Sequence, residues 1–106
     1  MNLGKMMKQA QELQSKMAEM QERLDEAEVE GSSGAGMVSA VMTGKHELKR
    51  LKIDPALVDP GDVEVLEDLV IAAVNDARNR VEQHVKDEMA KVTGGLNLPP
   101  GMNLPF

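Results

Sequence analysis

The chain predicts an α+β fold with a long helix at each end and a three-stranded antiparallel meander between them. Three observations carry that expectation: a heptad-spaced apolar stripe near the N-terminus, a glycine-punctuated β-branched stretch in the middle, and a second helical stripe in the last third. In the first stripe Met6, Ala10, Leu13, Met17, Met20, Leu24 and Ala27 follow one another at alternating steps of four and three, and Leu3 extends it backwards. A 3.5-residue repeat keeps one stripe facing a neighbouring helix, while the intervening Lys, Gln, Glu and Arg stay in water, so the segment has coiled-coil character. A helix over residues 3 to 27 would be about 37 Å long.

The middle of the chain changes period. Residues 28 to 31 read as a strand, residues 31 to 36 (Gly-Ser-Ser-Gly-Ala-Gly) as a turn, residues 37 to 43 as a second strand, Gly44-Lys45 as a turn and residues 46 to 54 as a third strand ended by Asp54-Pro55. Strict alternation in the third strand puts Leu51 and Ile53 on one face with Lys49, and Arg50 and Lys52 on the other with Leu48. One face is expected to bury and one to stay wet.

Helical spacing then returns, with Leu66, Val70, Ala73, Ala77, Val81, Val85, Met89 and Val92 three or four apart. Asp59-Pro60 supplies a start signal, since an Asp oxygen accepts from an orphan backbone N–H and proline suits the first helical position. Gly94-Gly95 supplies a stop. A helix over residues 60 to 93 would span about 50 Å, whereas a compact domain of ~100 residues has a radius of gyration of only about 13 Å. Rods of this length protrude or are covered by a second copy, which predicts a homodimer whose core and dimer seam draws on Met6, Leu13, Met17, Met20, Leu24, Val70, Val81 and Val85. Residues 1 to 95 form one domain in this reading, and residues 96 to 106, with three prolines and no charge, a flexible tail.

Composition narrows the function. A single Phe with no Trp or Tyr leaves Leu, Val, Ile, Ala and Met to build the core, thin material for a monomer. The absence of cysteine excludes disulfides and thiolate metal sites and fits a reducing cytoplasm. No stretch approaches the roughly 18 apolar residues of a membrane span. Catalytic inventory is poor: His46 and His84 are the only imidazoles, and neither has a local nucleophile–base arrangement. His84, Asp87 and Glu88 share a helical face, but an ordinary solvated face explains them better than a metal site. The glycine cluster lacks the Lys-Ser/Thr and following helix of a phosphate loop and reads as a hairpin turn. No enzyme activity, cofactor, metal or small-molecule substrate is expected.

Charge is uneven. The formal net charge is −6, yet residues 45 to 52 carry Lys45, Lys49, Arg50 and Lys52 against Glu47, and the first helix begins with Lys5 and Lys8. Its end is acidic, with Glu19, Glu22, Asp25, Glu26, Glu28 and Glu30 against Arg23. A dimer doubles each patch. Solvated faces and helix-pair charges are the ordinary reading of such patterns.

Four segments in order resemble the YbaB/EbfC family of nucleoid-associated proteins: the opening MNLGKMMKQAQ, the VEGSSGAG turn at residues 29 to 36, the KIDP strand end at 52 to 55 and LEDLVIAAVNDA at 66 to 77. The resemblance covers nearly the whole chain. It implies a bacterial, cytoplasmic, nucleoid-associated homodimer, tweezer-like with projecting helices, that binds duplex DNA. The cations offered for phosphate contact are Lys5, Lys8, Lys49, Arg50, Lys52, Arg78, Arg80, Lys86 and Lys91. Leu48, beside Arg50 and Lys52, makes the strand face partly apolar and shifts the weight to the helix-borne cations. Phosphate contacts without a base-reading motif imply limited sequence specificity, and the absence of aromatics disfavours single strands. The competing class is a protein-interaction scaffold built on the Met-rich seams and the acidic helix end.

Overall fold

The computed structural model describes residues 2–94. The expected tail at 96 to 106 and the domain boundary at 95 lie outside the described residues. Helix α1 (Leu3–Glu26) is followed by strands β1 (Glu28–Ser33), β2 (Val38–Thr43) and β3 (Leu48–Ile53) and by helix α2 (Val63–Gly94), with single 3-10 turns at Gly34–Gly36 and Pro55–Leu57. The sheet is antiparallel in the order β1-β2-β3. The predicted α+β class is the observed one.

Asn2 starts α1 by accepting from the Gly4 and Lys5 amides at 3.1 and 3.4 Å, so the exposed N-terminal half of the helix is capped. The start of α2 differs from expectation. Asp59 does accept a backbone amide, but that of Gly61 at 2.9 Å, and the Asp62 amide donates to the Asp59 carbonyl. This closes a turn, and helical geometry begins at Val63 rather than at Pro60. β3 likewise starts two residues late. His46 takes a left-handed φ of 66°, and the Thr43 hydroxyl accepts from the Lys45 and Glu47 amides, so residues 44 to 47 are consumed by the turn. β1 instead runs two residues past the expected Gly31, to Ser33.

Two separate apolar clusters hold the chain together. In the body, Val38, Ala40 and Met42 on one face of β2 meet Ala73, Ala77 and Val81 of α2, with Val29, Ile53, Val70 and Val85 at the margin. The packing there is backbone-close: a Cβ on Gly31 would sit 2.1 Å from the Ala77 nitrogen, so no other residue lets β1 lie against α2. In the arm, Met20 and Leu24 of α1 meet Met89 and Val92 of α2, flanked by Leu13, Met17 and Val85. The helices run antiparallel here, α1 entering the sheet as α2 leaves it. Gly44 fixes the junction by donating its amide to the Leu24 carbonyl at 2.9 Å, so close that a Cβ there would fall 2.6 Å from that oxygen.

The expected seam is therefore used over part of its length. Residues 3 to 12 of α1 are exposed throughout, with Met6 at 48 % and Leu3 at 73 %. The chain measures 71 × 25 × 16 Å with a radius of gyration of 19.5 Å, well above the compact value for its length.

Candidate nucleic-acid interface

The sheet has one covered face and one open face. Val38, Ala40 and Met42 turn towards α2, so Ser39, Val41 and Thr43 turn away from it. Register brings Glu28, Glu30 and Ser32 of β1 opposite Thr43, Val41 and Ser39, and Arg50 and Lys52 of β3 opposite Val41 and Ser39. No helix among the described residues covers this side. It forms a shallow hollow of about 770 Å³ lined in part by Glu30, Ser32, Ser39, Arg50 and Lys52.

A β-bulge decides what that face carries. Val41 pairs with Arg50, but the next residue, Met42, pairs with Leu48, leaving Lys49 as the extra residue on β3. Leu48 thereby moves to the side of buried Met42, and Lys49 joins Arg50. This corrects the strict alternation expected from sequence, which placed Leu48 with Arg50 and put Lys49 across the strand. The same Glu28 carboxylate proves the grouping: Lys49 Nζ donates to its Oε1 at 2.9 Å, and Arg50 donates from Nη1 to Oε1 at 3.1 Å and from Nη2 to Oε2 at 3.0 Å. The bulge thus gathers Lys49, Arg50 and Lys52 on one face. The expectation that one face of β3 buries is not met within the chain, since only Ile53 is half-buried, and Leu48 and Leu51 are 47 % and 41 % exposed.

Glu28 is held at a pKa of about 2, chiefly by the hydrogen bonds from Arg50 and then Lys49, and Arg50 is raised in turn by Glu28. The remaining predicted cations fall into two groups. Arg78 pairs with Glu82 at 3.4 Å, Arg80 with Asp76 at 3.1 Å and Lys91 with Glu88 at 3.3 Å. Arg78 and Arg80 also project about 200° apart around the helix, so they do not address one surface. Asp76 is lowered first by the Ser32 amide, which it accepts at 2.9 Å, then by Arg80, tying Arg80 to the α2–β1 junction. Lys5, Lys8, Lys52 and Lys86 have no carboxylate within ion-pair distance among the described residues. Lys5 and Lys8 share a side of the uncovered half of α1, and Lys86 borders a shallow hollow with His46, Glu82 and Val85.

Sequence reasoning passed over two residues that organise these cations. Sequence position groups Glu28 with the acidic helix end, yet it is the first residue of β1 and reaches across the sheet. In sequence Glu88 reads only as a helix-face acid. It is the buried carboxylate of the arm, 6 % exposed, taking Arg23 Nε at 3.1 Å and Lys91 Nζ at 3.3 Å. Burial pushes its carboxyl up, but the hydrogen bonds from Lys91 and Arg23 outweigh that and hold it below the ordinary value. With Glu88 so engaged, the face formed with His84 and Asp87 lacks a free ligand set.

Comparison with known proteins now decides the family. The model of the YbaB/EbfC DNA-binding family matches residues 1–96. The chain belongs to the YbaB/EbfC family. It is 66 % identical to a nucleoid-associated protein of Paramagnetospirillum magneticum and 61 % identical to one of Rhodospirillum centenum, each over 105 residues covering 99 % of this chain and 98 % of the relative. A crystal structure of an uncharacterized protein from Helicobacter pylori superposes with a TM-score of 0.76 at 26 % identity, covering 89 % of this chain and 99 % of that one. YbaB/EbfC is a DNA-binding family, not an enzyme family. No helix among the described residues is long and apolar enough to cross a membrane.

Proposed function

We propose that two copies of this chain form a nucleoid-associated dimer in the cytoplasm that holds duplex DNA through phosphate contacts with limited sequence specificity. The family match over residues 1–96 carries the assignment to DNA. The placement of charge supports the mode. Lys5 and Lys8 stand on an exposed helix end, with no ion pair among the described residues and about 30 Å of helix away from the sheet, where they serve as the first phosphate contacts. Lys49, Arg50 and Lys52 form a second contact surface on the open sheet face, and Lys86 a further isolated point. Arg78, Arg80 and Lys91 rank below these because each is paired to a carboxylate of its own helix and, unlike Lys49, Arg50 and Lys52, Arg78 and Arg80 project to different sides.

Exposed apolar surface supports the dimer. Leu48 and Leu51 flank the free edge of β3 on the side away from the basic face, and an uncovered edge strand with apolar neighbours is a template for another chain. Leu3 and Met6 continue the seam of α1 beyond the reach of α2, with Met7 exposed beside them.

Mobility shift with unrelated duplexes across a salt series tests the reading. Four to six phosphate contacts per dimer give a slope of log affinity on log salt of about −4 to −5. Light scattering at micromolar concentration should return twice the chain mass. A folded protein that shifts no duplex at low salt overturns the DNA reading and brings forward the protein scaffold, with the exposed methionines as its contact.

A further inference from the structure

We propose that the Lys49–Arg50 bulge is a phosphate-oxyanion subsite kept closed by Glu28, whose carboxylate occupies it in place of the ligand. The geometry is that of oxyanion recognition. Arg50 presents both terminal nitrogens to the two carboxylate oxygens at 3.1 and 3.0 Å, a parallel fork, and Lys49 adds a third contact at 2.9 Å. A phosphate offers the same arrangement of acceptor oxygens to the same fork.

Two features make the arrangement exchangeable rather than structural. All three side chains are about half exposed, at 41 % for Glu28, 50 % for Lys49 and 56 % for Arg50, so releasing Glu28 returns it to water without leaving a buried charge. The bulge also leaves Lys49 outside the strand register, a device that re-aims a side chain and is not needed to pair β3 with β2. Lys52, on the same face and without an ion pair among the described residues, extends the surface along which a phosphate chain can run.

Acid does not open this site in the physiological range, because Glu28 stays ionised down to about pH 2. Competition opens it. Glu28 is tethered, so its effective concentration is on the order of millimolar or higher, and dilute free phosphate displaces it poorly. A duplex already engaged elsewhere on the protein presents its phosphates at a comparable effective concentration. The source of the oxyanion is therefore taken to be the DNA backbone, a step that rests on the DNA-binding reading, whereas the subsite itself does not.

Two arms separate those levels. In the first, the full chain and its Glu28→Gln variant are titrated with inorganic phosphate at constant ionic strength, following the Arg50 guanidinium and the residue 48 to 50 amides by NMR. Glu28→Gln should respond to phosphate at concentrations at least about fivefold lower than the unmodified chain. Glu30→Gln, which makes the same charge change on the same face without touching the fork, should change the response less than twofold. Glu28→Asp keeps the charge but is one methylene too short to hold both cations, and should fall between; it also serves if Glu28→Gln does not fold. Equal phosphate response in all four proteins overturns the subsite.

In the second arm the same proteins are titrated with duplex DNA across a salt series. Tighter binding by Glu28→Gln, with a slope steeper by about 1 per added phosphate contact, identifies DNA as the source. The gain should vanish when Arg50→Gln is added. If DNA affinity is unchanged while phosphate binding appears, DNA is overturned as the source and the subsite serves free phosphate. Failure of every variant to bind DNA overturns the family-level reading alone, because the first arm still judges the subsite.

Discussion

The same three-residue device, one glutamate holding an arginine and a lysine, occurs twice in this chain in opposite settings. On the sheet, Glu28 meets Arg50 and Lys49 with all three in water; in the arm, Glu88 meets Arg23 and Lys91 with its side chain only 8 % exposed. The contacts are similar in length, so distance does not distinguish them. Desolvation does. Breaking the buried set strands a carboxylate where water barely reaches, while breaking the exposed set returns each group to hydration comparable to what it loses. The arm set is therefore a clamp that fixes α1 against the end of α2, and the sheet set is an ion pair whose partners can be exchanged.

The largest effect should come from removing both cations of each set in turn. Arg23→Ala with Lys91→Ala leaves Glu88 uncompensated beside Met20, Leu24, Met89 and Val92, and should destabilise the fold by about 3 kcal/mol, the lower end for a buried charge that loses its partners. In a chain of this size that lowers the melting temperature by more than about 10 °C. Lys49→Ala with Arg50→Ala should leave it almost unmoved. Equal losses in the two variants would show that burial is not what separates the sets.

Acid titration gives a smaller and more graded contrast. Both glutamates are depressed in the folded protein, so each contributes stability that is complete above its unfolded value near 4.5 and disappears as pH falls through the folded value. For Glu28 that window runs from about 4.5 down to about 2. Thermal melts between pH 6 and pH 2.5 should show Glu28→Gln to have the flatter acid limb, because linkage follows the net shift and burial offsets part of the lowering at Glu88. Glu88→Gln should change the slope of the limb less. The reverse order would mean that solvent screening cancels most of the depression at Glu28.

How much of this was legible follows from which signals are local. Heptad spacing placed α1 to within a residue, and the 3.6-residue stripe placed α2 apart from its first three residues, because each helix repeats one chemical instruction many times. The start of α2 was missed because Asp59 satisfies the same capping rule whether it opens a helix or closes a turn. The bulge does leave a trace in the sequence: Leu48, Leu51 and Ile53 fit one face only if an extra residue lies between 48 and 51, and the structure puts that residue at Lys49. Read as strict alternation, the same residues made the basic face look diluted. The two glutamate-centred sets were not readable at all, since Glu28 and Arg50 are 22 residues apart and Arg23 and Glu88 are 65 apart. Partner choice at such separations is set by how the sheet and the helix pair meet, and single-residue patterns do not encode it.

The smallest effect on stability, and the one that isolates function, belongs to cations that hold no carboxylate. Lys5 and Lys8 are exposed, lie on a part of α1 that is exposed throughout, and have no ion pair among the described residues. Reversing both to Glu should shift the melting temperature by no more than about 1–2 °C, since exposed charges contribute little and the Asn2 cap remains. DNA affinity should fall on every duplex alike, and the salt slope should become shallower by about 1 for each lysine that had held a phosphate. Arg78→Glu with Arg80→Glu is the matched comparison, because it makes the same charge change on cations already paired to Glu82 and Asp76. If free lysines and paired arginines weaken binding equally, only the overall charge matters and prior pairing does not. If the arginine variant is the weaker binder, the contact surface lies on α2, and the uncovered half of α1 serves assembly rather than DNA.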